Sequence, residues 1–428
     1  MASFLMLSFM VFLVMGVPIA FAMALATVVA IADQGSLPFS LFTQRALVGA
    51  NSYSLLAIPF FILAGNLMNV GGITERIIKF ANSAVGRFNG GLGLTTVLSC
   101  MVFSGVSGSA VADATALGKV LIPGMKKEGY GAGFAAAITA ASAVNGPIIP
   151  PSIPLIIYGL SVGKGVSIAA LFLGGVVPGL LLGTLLMLVV YLIARRRNYP
   201  VHEAVPMREL LSSAGQASWA LAMPFLILLG VTGGIVTVTE SAAFIVLYAL
   251  FVGMVIHREL KWHHIGEILV QTGLDTAVVM IIIAFASGFG WLLAVSGLPQ
   301  VVADWIGRFA TNPLAVLMLI NALLLVVGCF MEAIAAMIIL IPVLLPVVEA
   351  AHIDLVHFGL VMVFNLMLGL LTPPVGILLY ICGNFANVKI EAVIVEVLPM
   401  LAVGLGILLA ITVFPELVLW LPNLVLGN

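Results

Sequence analysis

Charged residues are scarce in this chain of 428 residues, of which 8% are charged and 63% are hydrophobic. A soluble domain normally carries roughly a quarter charged residues, which cover its surface. The composition therefore excludes a soluble enzyme, a nucleic-acid-binding protein and a disordered scaffold. It predicts a helical membrane protein that crosses the lipid bilayer several times.

Cysteine, net charge and nucleotide-binding motifs are also scarce. The three cysteines lie far apart in apolar segments, so the sequence predicts neither a disulfide framework nor a transition-metal site. The net charge is −1, so no overall field attracts polyanions. No Walker motif occurs, which fits a function without ATP, and we expect no cofactor. No lysine or arginine precedes the first apolar run, whose length favours an uncleaved first helix.

Apolar runs fill most of the chain, and nine of them are long enough to cross a bilayer, which takes about 20 residues. The nine runs are 3–31, 52–70, 131–160, 168–194, 214–236, 239–257, 273–296, 357–388 and 391–420. Two further stretches, 92–125 and 312–348, exceed one crossing and are interrupted by glycines and small residues. Each half would hold about ten to fifteen residues, or about half a bilayer. We therefore expect two re-entrant helical hairpins.

The basic residues predict the orientation in the membrane. With a cytoplasmic N-terminus, 12 of the 16 lysines and arginines fall on the cytoplasmic side, as the positive-inside rule requires. Arg45, Lys164 and Arg308 fall outside, and Lys119 lies within the first hairpin. The C-terminus then faces the periplasm. Residues 73–88 have one apolar and one charged face, which predicts an amphipathic helix at the membrane interface.

An offset of 223 residues relates the two halves of the chain. Five matches keep the same order: Pro150-Pro151 with Pro373-Pro374, Pro123 with Pro346, Gly105 with Gly328, Gly65 with Gly288 and, with a two-residue slip, 86–88 with 307–309. The stretch 52–70 runs inward and its counterpart 273–296 runs outward, so the repeats are inverted. Inverted repeats with paired interrupted segments are typical of secondary transporters.

The interruptions of the first repeat are rich in oxygen donors. The tip of the first hairpin, 104–109, combines glycines with three hydroxyls, and the segment 145–154 contains four prolines that free backbone carbonyls. Because lipid cannot satisfy such groups, we expect them to face protein, water, ions or substrate. Carbonyls and a hydroxyl suit a sodium ion in a shell of five or six oxygens, and the helix start after the tip suits a carboxylate.

The second repeat has the same arrangement at 328–332 and 369–374, where Thr372 is the best side-chain ligand. Glu332 is interpreted as a proton carrier, a substrate contact or an acceptor that stabilises the hairpin. The same choice between a functional and a structural role applies to Asp113. Intramembrane acids are more often functional than not.

Three other functions stay open from the residues alone. The first is a stand-alone sodium/carboxylate symporter, and the second is a structural or proton-conducting subunit of a larger complex. The third is an intramembrane serine protease that uses Ser107 within the motif Gly105-Val106-Ser107-Gly108. Such a protease needs a histidine to activate the serine, and the six histidines fall in or beside loops, so we expect no catalytic pair.

Several motifs together resemble one known family from end to end. They are Leu56-Ala57-Ile58-Pro59-Phe60-Phe61, Ser107-Gly108-Ser109, Pro150-Pro151-Ser152, Thr239-Glu240 with Ala242-Ala243, and Leu371-Thr372-Pro373-Pro374-Val375-Gly376. The chain is similar to the large membrane subunit of TRAP transporters (tripartite ATP-independent periplasmic transporters), the DctM/SiaM-type permeases. The run 109–113 is closer to sugar-acid and sialic-acid relatives than to C4-dicarboxylate ones.

The resemblance implies a multi-pass protein of the bacterial inner membrane that is not an enzyme. It implies uptake of an organic acid on a sodium gradient by an elevator-type motion of a transport domain against a scaffold. A soluble periplasmic binding protein would deliver the substrate, and a separate small four-helix membrane subunit would accompany this chain.

The resemblance also implies the site residues. The first sodium site would involve Ser104, Ser107, Asn145, Gly146 and Pro150, and the second would involve Gly328, Gly369 and Thr372. Further candidates for the substrate or the hairpins are Ser109, Asp113, Ser152, Glu332 and Pro373.

The expected organisation is all-α with inverted repeats, two re-entrant hairpins and two broken helices. Its expected divisions are an N-terminal scaffold (1–51), the first repeat (52–165), scaffold helices (166–272), the second repeat (273–388) and a C-terminal scaffold helix (389–428).

Overall fold

The computed structural model describes residues 1–35, 37–163, 165–201, 205–302 and 312–427, and every regular element within these ranges is a helix. The predicted all-α membrane fold is thereby confirmed. Eight of the described helices are long and apolar enough to cross a membrane, judged by length and composition. Lys164, His202 and Arg308, together with the repeat segment 307–309, lie outside the described residues.

The helices are numbered in chain order. The first half contains α1 (Ala2–Val14), α2 (Ile19–Gln34), α3 (Ser40–Ala50), α4 (Ala57–Val70, preceded by a short 3-10 turn at Tyr53–Leu56), α5 (Ile73–Val85), α6 (Gly91–Ser107), α7 (Ala110–Lys127), α8 (Ala132–Ala143), α9 (Ile153–Val162) and α10 (Ile168–Arg196). The second half contains α11 (Met207–Thr232), α12 (Val238–Phe251, continued as a π-helix to Ile256), α13 (Trp262–Val295), α14 (Pro313–Phe330), α15 (Ala333–Ala350), α16 (Leu355–Gly369), α17 (Ile377–Ala386), α18 (Ile390–Val413) and α19 (Glu416–Leu426).

The prediction of one first span over 3–31 is wrong. Two shorter helices, α1 and α2, cover this stretch and pack against each other across a turn between Val14 and Ile19. Gly16 adopts a φ of +80° in the turn, a conformation that glycine reaches without a steric cost. Pro18 lacks a backbone N–H and disfavours a helical conformation of Val17, so the helix cannot continue through it.

Two lengths also differ from the prediction. The last span was expected over 391–420, but α18 ends at Val413 and the separate helix α19 begins after Pro415. The hairpin arms were expected to hold ten to fifteen residues, whereas α6 has 17 and α7, α14 and α15 have 18 each. Gly108 forms the turn between α6 and α7, but Gly105 and Gly328 lie within α6 and α14 against Pro224 and Gly369, since close helix packing favours small residues.

Most other predicted spans coincide with helices. The runs 52–70, 168–194, 214–236 and 239–257 correspond to the turn with α4 and to α10, α11 and α12, and α13 begins eleven residues before the predicted 273–296. The runs 131–160 and 357–388 are each a pair of short helices, α8 with α9 and α16 with α17. The expected amphipathic helix is α5, which ends at Val85 and leaves Phe88 exposed beyond it.

The helices pack in two groups, which contact each other mainly through α5 with α6 and α13 with α15. In the first group α13 contacts α2, α3 and α4, while α12 contacts α4 and α11 contacts α5. In the second group the hairpins α6–α7 and α14–α15 pack with the broken helices α8–α9 and α16–α17, and both α10 and α18 join them. Arg197, at the end of α10, donates two hydrogen bonds of 2.9 Å to Glu396 in α18, which ties these two helices together.

The internal repeat is visible in the helix boundaries. Ala110 and Lys127 bound α7, and residues 333 and 350, each 223 positions later, bound α15. Residue 355 begins α16 at the same offset from Ala132, the start of α8. The N-caps of α7 and α15, Ser109 and Glu332, are also 223 residues apart, and each side chain accepts a hydrogen bond from its helix. The sequence repeat is therefore a repeat of structure.

Gly175 offers a test of the packing between α10 and the interruption of the first broken helix. A Cβ at Gly175 would collide with the backbone carbonyl of Ile148, whereas a Cβ at Gly215 in α11 meets no described atom within 4 Å. We expect Gly175→Ala to destabilise the protein by about 1–3 kcal/mol, since a backbone cannot yield as a side chain can.

The matched control Gly215→Ala should leave stability unchanged or raise it by up to about 1 kcal/mol, because alanine is the better helix former. Thermal unfolding of the purified variants in detergent measures both. Equal melting temperatures of the two variants would contradict the packing described.

Candidate functional site

The tips of the two hairpins open into one cavity of about 640 Å³. Ser107, Gly108 and Ser109 line it from the first tip, and Glu332 lines it from the second. Helices α4 and α13 of the other group form the opposite wall. The cavity thus lies where the hairpins meet the remainder of the protein.

The first hairpin tip packs directly on the interruption of α8–α9. Gly108 ends α6 with a φ of +62°, and a Cβ there would lie 2.7 Å from the carbonyl oxygen of Pro151. Only glycine allows both the turn and this approach. After the turn, the Ser109 hydroxyl caps α7 by accepting a hydrogen bond from the Ala112 amide at 3.4 Å.

Asp113 lies fully buried behind this tip. The Ser107 hydroxyl donates a hydrogen bond to its Oδ1, and the Ser104 hydroxyl lies 3.4 Å from its Oδ2. No described basic side chain forms an ion pair with Asp113; the ion pairs of the described residues include Arg76–Glu259 and Arg197–Glu396. A buried carboxylate with hydroxyl partners but no cation is costly, because burial removes water without replacing its charge stabilisation.

The interruption of the first broken helix completes this cluster. A Cβ on Gly146 would lie 2.6 Å from Oδ2 of Asp113, so the glycine lets the backbone approach the carboxylate. Asn145, also fully buried, donates from Nδ2 to the Ser142 carbonyl at 3.2 Å, while its Oδ1 has no hydrogen-bond donor. The structure therefore adds Asp113, expected as a substrate or hairpin residue, to the residues of the first expected sodium site.

Two other residues that were expected at this site, Pro150 and Ser152, have different surroundings. Pro150 is buried within the interruption, and no hydrogen bond joins it to the Asp113 carboxylate in the described part of the chain. Ser152 uses its hydroxyl inside the interruption, where it donates to the Pro147 carbonyl at 2.5 Å and caps α9 through the Leu155 amide at 3.2 Å. Ser152 is fully buried and thus positions the broken helix.

The residues of the second expected sodium site also come together. Gly328 of α14 and Gly369 of α16 touch through their backbones, since a Cβ on Gly369 would lie 2.6 Å from the Gly328 Cα. The Thr372 amide donates to the Gly369 carbonyl at 3.0 Å, and its hydroxyl donates to the Leu368 carbonyl at 2.8 Å. Pro373 follows at the partly exposed end of this turn.

Glu332 is the only expected site residue of the second repeat with a charge. Its Oε2 accepts a hydrogen bond of 3.0 Å from the Ala335 amide, so it caps α15 as Ser109 caps α7. It is partly buried and faces the cavity. The second repeat has no counterpart of Asp113, because Ala336 stands 223 residues after it. The two expected ion sites therefore differ in charge although their helix boundaries repeat.

Ser107 lacks the geometry of a protease nucleophile. Its hydroxyl donates to Asp113, and no described histidine contacts it. Of the histidines, His257 hydrogen-bonds the Gly71 carbonyl at 3.2 Å and His357 the Ile411 carbonyl at 2.8 Å. The arrangement leaves Ser107 as a hydrogen-bond donor to Asp113 and not as an activated nucleophile.

The sequence reasoning missed the polar wall opposite the hairpins. Asn66 of α4 donates to Thr272 of α13 at 3.1 Å and lies 3.4 Å from Oδ2 of Asp275. Gln271 donates to Oδ1 of Asp275 at 2.8 Å. Asp275 could have been singled out, since acids within long apolar helices are usually functional. Its partner Asn66 can be identified only from the fold, because the fold brings these residues, 209 positions apart in sequence, into contact.

A second, smaller cavity of about 450 Å³ lies further along α13. Ile338 and Ser52 are among its lining residues, and each is 223 residues from a lining residue of the first cavity, Thr115 and Asp275 respectively. The two cavities are therefore related by the internal repeat. The first cavity lies beside the α7 arm of the first hairpin, and the second lies beside the α15 arm of the second hairpin.

Comparisons with known proteins show the family to which the chain belongs. The family model described as tripartite ATP-independent periplasmic transporter, DctM component, matches residues 6–417. The sialic acid TRAP transporter large permease protein SiaM of Vibrio cholerae is 42% identical over 412 residues, which cover 96% of this chain and 96% of that protein. The isethionate TRAP transporter permease protein DctMQ of Oleidesulfovibrio alaskensis is 40% identical over 96% of this chain, which spans 64% of that relative's length.

Among solved structures, the YdaH transporter of Alcanivorax borkumensis has the same overall fold. The TM-score is 0.58 at 16% sequence identity, and the match covers 84% of this chain and 85% of that one. At this identity the likeness concerns the fold alone.

The contact between Gly146 and Asp113 can be tested by a double-mutant cycle. Gly146→Ala should lower stability by about 1–3 kcal/mol, since the new methyl group must displace the carboxylate or the hairpin tip. In an Asp113→Ala background the same substitution should cost less, with a coupling energy of about 0.5–3 kcal/mol, as found for residues in contact. Thermal unfolding of the four proteins measures the coupling, and additive effects would show that the two residues do not touch.

Proposed function

Because the chain belongs to the DctM component family of the tripartite ATP-independent periplasmic transporters, we propose that it couples the import of an organic acid to a sodium gradient. It is a large permease of that family, within a multi-pass inner-membrane transporter, and not an enzyme. What we propose beyond family membership is the bound sodium ions, the elevator motion and the partner proteins. The observation that carries the proposal is the buried carboxylate of Asp113, which has no cationic partner among the described residues.

A sodium ion at the first hairpin tip supplies the missing charge. Ser104 and Ser107 present hydroxyl oxygens beside Asp113, and Gly146 brings its backbone to the same carboxylate. The amide oxygen of Asn145 is buried without a donor, which leaves it available as a further ligand. Oxygen ligands of this kind suit a hard cation. Pro150 contributes by removing a donor from the interruption, so that neighbouring carbonyls stay free.

A second sodium ion is proposed between Gly328, Gly369 and Thr372. Here the ligands are backbone carbonyls and one hydroxyl, without a carboxylate. Two sodium ions that accompany one monoanion move one net positive charge. At 100 mV this movement releases about 2.3 kcal/mol, and each tenfold concentration ratio adds about 1.4 kcal/mol. Together, the membrane potential and the sodium concentration ratio can sustain a steep substrate gradient without ATP.

The substrate is proposed to bind between the tips, where Ser109 and Glu332 face the cavity. The hairpins and broken helices then move as one body against α4 and α13, in an elevator motion that exposes the site through one cavity or the other. Because α10 and α18 pack on the broken helices, we assign them to the moving body, unlike the division expected from sequence. The assignment of helices to the moving body does not include the residues between α13 and α14 that the structure does not describe.

The complete transporter is proposed to contain two further proteins. A periplasmic binding protein delivers the substrate, and a small four-helix membrane subunit packs beside this chain in the lipid bilayer. The face that carries most basic residues lies in the cytoplasm and the C-terminus in the periplasm. The predicted cytoplasmic N-terminus depended on a single first span, and the turn between α1 and α2 removes that basis.

Uptake by proteoliposomes tests the function as a whole. Vesicles that contain the chain, its membrane partner and its binding protein should accumulate the acid only with an inward sodium gradient. Unchanged uptake after replacement of sodium by potassium would contradict the coupling. Equal uptake without the binding protein would favour the stand-alone symporter instead.

The role of Asp113 can be measured on the purified chain alone. Sodium at about 100 times its Kd stabilises a folded protein by about 2.7 kcal/mol, so sodium should raise the melting temperature relative to potassium at equal ionic strength. Asp113→Asn keeps the shape of the side chain but removes the charge, and we expect it to reduce this shift to the part that the second ion contributes.

Asp354→Asn is the matched control, because Asp354 caps α16 and asparagine caps a helix equally well. It should keep the full sodium shift. A full sodium shift in Asp113→Asn would exclude Asp113 from the ion site.

A further inference from the structure

Lys119 has no assigned role, although it faces the cavity. It lies on α7, its side chain is exposed to the cavity, and it is the one basic residue among the described lining residues. No described acidic side chain forms an ion pair with it. Lysines near a membrane interface often extend to water without a partner, so its exposure alone does not define a role. The charged and polar groups that surround Lys119 in the cavity define its role.

The charges of the cavity leave Lys119 free for an anion. The two acids that line the cavity have neutral partners: Asp275 is held by Gln271 and Asn66, and Glu332 caps α15. An anionic substrate that enters meets these two negative charges. A positive charge that is not already neutralised is therefore needed on the cavity wall, and Lys119 supplies it.

The position of Lys119 on α7 directs its side chain toward the hairpin tip. The helix begins at the tip, and side chains of an α-helix lean toward the N-terminus of their helix. Lys119 follows the Ser109 cap by ten residues, or about 15 Å along the axis, and the lysine side chain shortens this gap. Thr115, one turn earlier on the same face, also lines the cavity. One molecule of sugar-acid size can thus span from the tip to Lys119.

The remaining polar groups of the cavity are neutral. Asn66, Asn69 and Gln271 offer amides and Thr115 offers a hydroxyl, which suit the hydroxyl or amide groups of a substrate. A dicarboxylate would place its second charge near Asp275 or Glu332 without a described cation to receive it. The cavity therefore favours one carboxylate joined to a neutral polar chain.

We propose that Lys119 binds the single carboxylate of a polyhydroxylated acid and thereby selects sugar acids over dicarboxylates and over neutral polyols. This proposal rests on the proposed function, since it specifies the substrate class of the same cavity. It makes Lys119 a specificity-determining residue that the sodium sites do not require.

Direct binding to the purified full-length chain in saturating sodium tests the proposal. The probes are N-acetylneuraminate and gluconate as polyhydroxylated acids, succinate as a dicarboxylate, and sorbitol as the neutral counterpart of gluconate. We expect the unmodified chain to bind at least one of the two sugar acids at least about tenfold more tightly than succinate or sorbitol, since tenfold corresponds to about 1.4 kcal/mol.

Lys119→Gln should weaken sugar-acid binding at least about tenfold and remove the preference over sorbitol, while the sodium-dependent rise in melting temperature stays unchanged. Lys119→Arg keeps the charge and should retain most of the affinity. Lys127→Gln is the matched control, because Lys127 lies in the last turn of the same helix and does not line the cavity. It should bind as the unmodified chain does.

Two results would overturn the proposal in distinguishable ways. Sugar-acid binding that survives in Lys119→Gln would exclude Lys119 and leave the proposed function intact. A chain that shows no sodium shift and binds none of the acids would contradict the proposed function, and the role of Lys119 with it.

Discussion

The constraint on which the site depends is the burial of the Asp113 carboxylate without a counter-charge from any described residue. Two serine hydroxyls, a glycine backbone and an asparagine side chain surround the junction of the first hairpin and the first broken helix. Neutral groups of this kind lower the cost of burying a charge but do not cancel it. In the function we propose, a sodium ion cancels this charge. Ion binding and the packing of the hairpin on the broken helix would then be one event.

The second repeat shows what the same backbone does without that charge. Gly328 and Gly369 touch through their backbones, whereas their repeat counterparts Gly105 and Gly146 lie against Pro224 and Asp113 respectively. In the second repeat alanine replaces the aspartate. The acid of this half, Glu332, lies instead at the helix cap and faces the cavity. The two repeats therefore share helix boundaries but differ in the position of their acid, which is buried behind the hairpin tip in the first repeat and faces the cavity in the second.

The sequence predicts the hairpins and the broken helices well, because these elements depend on local chemistry. Proline pairs, glycine turns and apolar runs act within a few residues, so the hairpins and broken helices could be placed from their spacing. The first span failed for a local reason that was visible, namely Gly16 and Pro18 within an apolar run. The contacts between distant residues could not be predicted. Asn66 reaches Asp275 only because helices 209 positions apart pack together. Gly146 reaches Asp113 only because the interruption after α8 folds back on α7. For the same reason the arms of the hairpins proved longer than their glycines suggested.

The most direct test of the central claim is a structure of the purified chain determined by electron cryomicroscopy in sodium and again with sodium replaced by choline. The account predicts density for one ion among Asp113, Ser104, Ser107 and Asn145 in sodium. It also predicts that this density is lost in choline and that the first hairpin tip loosens from the broken helix. An empty junction in sodium, with the Asp113 carboxylate unchanged between the two conditions, would contradict the account.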